Sequence, residues 1–214
     1  MCCRYYMELS PELRPYIEAA DRSPLKEKLV DRLARPLVSS GEVRPTDLVP
    51  VLAPSAKAHK PSVFPMQWGF SLPDRRNAVF NARVESAKDK PTFQRSWKER
   101  RCVVPASYYY EWQHLPASGG RTQPGEKYAL QPRGSTVAYL AGLYRIEELE
   151  GFKIPVFTIL TRPASEELRF LHDRMPLILP KEDIPRWLDP AAEPEELVPH
   201  AVTDLIYEQG SLAI

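Results

Sequence analysis

The chain has little glycine, almost no cysteine, no surplus of charge and no long apolar run. With 9 glycines in 214 residues, collagen-like and glycine-linker architectures are excluded, and even with 23 prolines the combined share stays below that of disordered chains. The three cysteines are odd in number and two of them, Cys2 and Cys3, are adjacent, which argues against a disulfide framework and matches poorly the spaced ligands of zinc sites. Reduced thiols are expected, with no metal and no cofactor. Lys and Arg number 29 against 28 Asp and Glu, so the chain is neither a polycation nor an acidic tail. Any nucleic-acid contact has to be a local basic patch. No apolar stretch approaches the roughly 18 residues that span a bilayer, and residues 1 to 30 are too charged for a signal peptide. A cytoplasmic protein without membrane contact is expected.

What is present is an ordinary globular composition, 43% hydrophobic and 27% charged, on a length that suits one core. The prolines, about twice the usual share, call for many short strands and turns. Ser10-Pro11 and Ser23-Pro24 read as helix starts, serine capping a proline at the first helical position, and predict amphipathic helices over 10–20 and 23–35. A third helix is expected over 91–100, with Phe93 and Trp97 on one face, and a fourth over 163–170. Strands are expected at 49–52, 63–70, 77–83, 101–112, 127–131, 136–144, 154–160 and 177–179, separated by turns at 41–47 and a polar surface loop at 113–126. Strands dominate the middle and helices the ends. The expected class is α+β: a single domain over 1–214 with a strand-rich, barrel-like core of mixed and antiparallel sheet, flanked by short helices and closed by a helical tail over 181–214.

Five features carry chemistry. Removal of Met1 would leave Cys2 with a free amine beside its thiol, a pair that condenses with aldehydes, first to a Schiff base and then to a thiazolidine. In Tyr108-Tyr109-Tyr110-Glu111-Trp112 a period of two places Glu111 with Tyr109 and opposite the other three aromatics. Glu111 is then either an exposed strand residue or a general acid/base whose pKa burial raises. His172, held in a loop beside Asp173 and Arg174, is either a structural histidine or a proton shuttle. Asn81 is an orienting amide or a strand-end polar group. Arg83 and Arg174 offer forked donors to phosphates, with pairing to Glu85 and Asp173 as the ordinary alternative.

Taken together, Met1-Cys2 with Arg4, Trp68-Gly69, Asn81-Ala82-Arg83-Val84-Glu85, Arg101-Cys102-Val103-Val104-Pro105-Ala106, Tyr110-Glu111-Trp112 and His172-Asp173-Arg174-Met175-Pro176 resemble, in order, the SRAP family, the "SOS response-associated peptidase" domain proteins. The resemblance covers residues 1 to about 180. It implies a single-turnover activity that caps abasic sites in single-stranded DNA as a covalent thiazolidine, with a latent lyase and a self-processing peptidase activity. It implies Cys2 as nucleophile, Asn81 as its orienting group, Glu111 and His172 as proton carriers, and Arg4, Trp68, Arg83 and Arg174 as DNA contacts, in a monomer that joins the nucleoid when DNA-bound. For Trp68 the alternative is core packing beside Phe70. The chain departs from the family at position 3, usually glycine and here Cys3, and at Arg44-Pro45-Thr46, where many members carry an asparagine before the proline. The competing expectation is a cysteine peptidase using Cys2 and His172.

Overall fold

The computed structural model describes residues 3–55, 60–73, 75–210 and 212. Met1 and Cys2 therefore lie outside the described residues. The chain begins as a strand, β1 (Arg4–Met7), passes through two helices, α1 (Arg14–Asp21) and α2 (Lys26–Leu33), and enters β2 (Gly41–Val43), β3 (Leu48–Pro54) and β4 (Pro61–Trp68). A short β5 (Asn81–Arg83) leads into α3 (Val84–Ala87) and α4 (Pro91–Glu99). Six strands follow, β6 (Arg101–Ala106), β7 (Tyr108–Pro116), β8 (Thr122–Pro132), β9 (Ala138–Leu149), β10 (Phe152–Pro163) and β11 (Arg174–Pro176), and then β12 (Ile178–Leu179), α5 (Ile184–Leu188) and β13 (Leu205–Gln209).

The α+β class holds. One sheet has the order β13-β8-β7-β1-β2; the other runs β11-β10-β4-β3-β6-β9-β12 with β5 also on β10. Because β10 pairs with both β4 and β9, the strands β10-β4-β3-β6-β9 close on themselves as a five-stranded barrel. Its β4–β10 contact is parallel while the rest of the ring is antiparallel. Closure removes two sheet edges that would otherwise need covering. It also explains why every residue of β6 is buried, as a strand covered on both faces must be. The rings of Tyr5 and Trp68, 5.3 Å apart, join the two sheets.

Several expectations shift for local reasons. The Ser-Pro signals act one turn early: Ser10 Oγ accepts the Leu13 N–H and Ser23 Oγ the Leu25 N–H, both at 3.3 Å, and the helices start at Arg14 and Lys26. The region 163–170 holds only a 3-10 turn, Glu166–Leu168, because β10 runs on to Pro163. The stretch 113–126 is a hairpin: β7 and β8 extend past each other to the pair Pro116↔Thr122. Residues 41–47 contain β2, and the tail adds a strand, β13, to its helical pieces.

Arg101, at the junction of α4 and β6, is 2% exposed. Its guanidinium donates to the carbonyls of Trp97 and Lys98 at the end of α4, and to those of Trp187, Asp189 and Ala192 in the tail. A cation suits the carboxyl end of a helix; here the same group also ties the last thirty residues to the barrel.

Candidate functional site

Glu111 sits on β7, and the alternation read from the sequence is what the packing shows. Tyr109 belongs to the main core, whereas Tyr108 and Tyr110, with Tyr6 and Trp112 against them, form a separate cluster on the other face. The carboxylate of Glu111 is on the core side and 4% exposed. Burial pushes its pKa above the usual carboxylate value, as expected when water is withdrawn from the charged form. The Trp112 N–H donates to Oε1 at 3.3 Å.

β1 delivers the amino end to this carboxylate. It lies between β2 and β7 with the register Arg4↔Tyr110 and Tyr5↔Tyr109, so one further step brings Cys3 opposite Glu111. Burial pushes the Cys3 thiol pKa up, the charge of Arg4 works against this, and the charge of Glu111 adds to it. Arg4 is anchored beside it, Nη1 donating to the Cys3 carbonyl at 2.7 Å and Nε 3.2 Å from Glu42. Glu42 also holds Arg44 and Lys127, each at 3.1 Å.

His172 reaches the same end of β7 from the loop before β11. A bulge between Trp112 and His114 lets the His114 N–H donate to the Leu171 carbonyl at 2.8 Å, and the two imidazoles meet at a centroid distance of 3.9 Å with their planes tilted by 52°. His172 is 6% exposed. Its Nδ1 lies 2.9 Å from the Arg174 N–H and 2.6 Å from Asp173 Oδ1. Burial first, with the His114 ring among the further causes, pushes its pKa down to about 4.

Asn81 opens β5, paired in parallel with Ile159 of β10. The preceding carbonyl, Phe80, accepts both the Trp68 indole N–H at 2.9 Å and the Ile159 N–H at 3.0 Å, so Trp68 fixes the backbone that carries Asn81. Trp68 itself is fully buried and stacked on Phe157 at 6.1 Å. That corrects the expectation of a base-contacting aromatic: the ring has no exposed face. Arg83 is exposed. Arg174 is 9% exposed and committed to Glu85, not to Asp173, whose partner is His172. A cavity of about 470 Å³, lined by Arg75, Arg76, Asn77, Phe80 and Asn81 among others, opens beside β5.

Cys3 and Glu111 thus face each other where β1 begins beside β7, the His114–His172 pair lies further along β7, and Asn81 is connected through the Phe80 carbonyl to Trp68 and its neighbour Tyr5. His114 falls in the stretch expected as a surface loop, and alternation along the strand would place it on the face of Tyr108, Tyr110 and Trp112, opposite Glu111, so no local signal marks it. Among the described residues no group of three or more His, Cys, Asp or Glu is placed to hold a metal ion.

The chain is 32% identical over 161 residues to the abasic site processing protein YobE of Bacillus subtilis, covering 69% of this chain and 70% of that protein. It is 31% identical over 131 residues to YoaM of the same organism (58% of this chain, 56% of that protein) and 27% identical over 176 residues to HMCES of Xenopus tropicalis (70% and 52%), both also described as abasic site processing proteins. The chain thus spans little more than half the length of these last two. A crystal structure of a Bacteroides thetaiotaomicron protein superposes with a TM-score of 0.72 at 19% identity, covering 97% of this chain and 91% of the other. A phage-related protein of Bordetella bronchiseptica gives 0.68 at 21% identity, with 97% and 93% covered. The family model of SRAP, "SOS response associated peptidase", matches residues 1–209, and the chain belongs to that family.

Proposed function

We propose that the protein handles abasic sites in single-stranded DNA and caps them covalently through Cys2. The observation that carries this reading is the buried carboxylate of Glu111, one register step beyond the Arg4↔Tyr110 pair and close enough to the amino end to act on the Cys3 thiol, with Asp173 of the His172 loop close enough to act on Glu111. Cys2 is outside the described residues, but it is one Cα step of about 3.8 Å from Cys3. The names of the relatives, abasic site processing proteins, support the same substrate.

The chemistry follows from the groups available. With Met1 removed, the Cys2 amine attacks the C1′ aldehyde of the open-chain deoxyribose, and water leaves to give a Schiff base. Glu111, with a raised pKa, accepts a proton from the amine and returns one to the departing oxygen. His172, largely neutral at pH 7, takes the proton of the C1′ hydroxyl as the sugar ring opens and returns it to the ring oxygen, which leaves as the C4′ hydroxyl. The Cys2 thiolate then adds to the same carbon and closes the thiazolidine. Loss of the imine removes the electron sink that drives β-elimination, so the strand stays intact. Asn81 orients the amine and thiol, and Arg4, Arg83 and Arg174 meet the phosphates.

The test is a denaturing gel of Met1-free protein with abasic and intact oligonucleotides. A lesion-dependent covalent shift is expected, and Cys2→Ala should nick the strand while leaving little stable adduct. A stable adduct as abundant in that variant as in the parent chain would refute the scheme. Turnover of protein substrates without DNA would instead favour a cysteine peptidase.

A further inference from the structure

The contact between His114 and His172 is not explained by the proton-carrying role of His172 alone. Two polar groups compete for one atom: Nδ1 of His172 has the Arg174 N–H at 2.9 Å and the Asp173 carboxylate at 2.6 Å. An amide N–H needs a lone pair on Nδ1, whereas a carboxylate needs a proton there, so the two bonds belong to different protonation states. In the neutral ring the proton is on Nε2 and Nδ1 accepts from Arg174. In the imidazolium Nδ1–H turns to Asp173, whose side chain is 77% exposed and free to follow.

We propose that His114 is a positioning residue that selects the first state: its imidazole, packed at 3.9 Å, holds His172 as the Nε2–H tautomer, whose one basic atom is Nδ1, so that a proton is taken up there as the Arg174 N–H gives way to Asp173. The inference rests on the proton-carrying role given to His172 above, but its direct readout does not. Two imidazolium rings at this distance repel, so the pair takes up its protons in two separated steps instead of one.

The charged groups facing His172 from its surroundings are accounted for. β7 supplies His114, and the loop itself Asp173. Arg174 turns its charge away to Glu85 on α3. The amino terminus, outside the described residues, is the same in every variant and cancels in the comparison.

The experiment is an NMR titration of the imidazole C–H signals, tractable because the chain has 4 histidines, on the parent protein, His114→Phe and His114→Lys without DNA. Phenylalanine keeps a ring packed against His172 and removes the second charge; lysine replaces a titrating cation by a permanent one. The expected result is that His172 takes its proton at higher pH in His114→Phe and at the same or lower pH in His114→Lys. Midpoints that move upward in both variants, as loosened packing would produce, or that stay put in His114→Phe, overturn the proposal. In crosslinking assays the acidic limb of the pH profile should follow the His172 midpoint of each variant. If titrations shift as expected while no variant crosslinks, the positioning role stands and the function given above fails.

Discussion

The guanidinium of Arg174 grips the carboxylate of Glu85 with both prongs, Nη1 to Oε1 at 2.5 Å and Nη2 to Oε2 at 2.9 Å. Nη2 also donates to the Thr161 carbonyl at 2.7 Å. One partner is buried and the other is 44% exposed, so a phosphate meeting Arg174 has to compete with Glu85. Glu85→Gln should therefore strengthen binding of undamaged single-stranded DNA at low salt while lowering stability by about 1 kcal/mol, the scale of a pair screened on one side. The bond holds the Glu85 pKa below its ordinary 4.5. Its contribution is complete above that pH and is lost as pH falls through the lower folded value. Urea titrations of parent and variant should converge in acid.

Glu111 has the opposite sign. Its folded pKa is raised by burial, so its contribution to stability is greatest below the unfolded pKa and is lost as pH rises through the folded one. Glu111→Gln should raise the melting temperature at pH 7, by about 2 to 4 °C per kcal/mol relieved, and lose that advantage in acid. Crosslinking should fall on the order of 100-fold. A variant both less stable and fully active would remove Glu111 from the site.

Gly69 has φ +125°, and a Cβ there would stand 2.9 Å from Ala78 Cβ and 3.1 Å from Phe80 Cδ1. Gly69→Ala should cost about 1 to 3 kcal/mol through backbone strain and overpacking. Because the displaced ring precedes Asn81, adduct yield should fall more than the loss of folded protein explains.

Arg101→Met should cost about 3 kcal/mol or more, since it leaves several buried carbonyls without a donor. Limited proteolysis should then cut first near residues 187–192, where three of those carbonyls lie.

The faces of Tyr108 to Trp112 were legible because alternation along a strand is local, and α4 because Phe93 and Trp97 sit one turn apart. β1, β2 and β13 were not. Each has 5 residues or fewer and exists through partners distant in the chain, and a period needs more repeats than that to show. The pairing of Arg174 with Glu85 instead of Asp173 was equally hidden, since α3 has to fold back onto β10 before the carboxylate arrives. Trp68 illustrates a different limit: a motif shows that a residue matters without showing whether it meets the ligand or holds the backbone beside it.

β1 has hydrogen-bonded neighbours along both edges, β2 on one side and β7 on the other. A load attached at the head of the chain pulls this strand lengthwise, so both ladders are sheared at once, whereas a strand on the rim would unzip bond by bond.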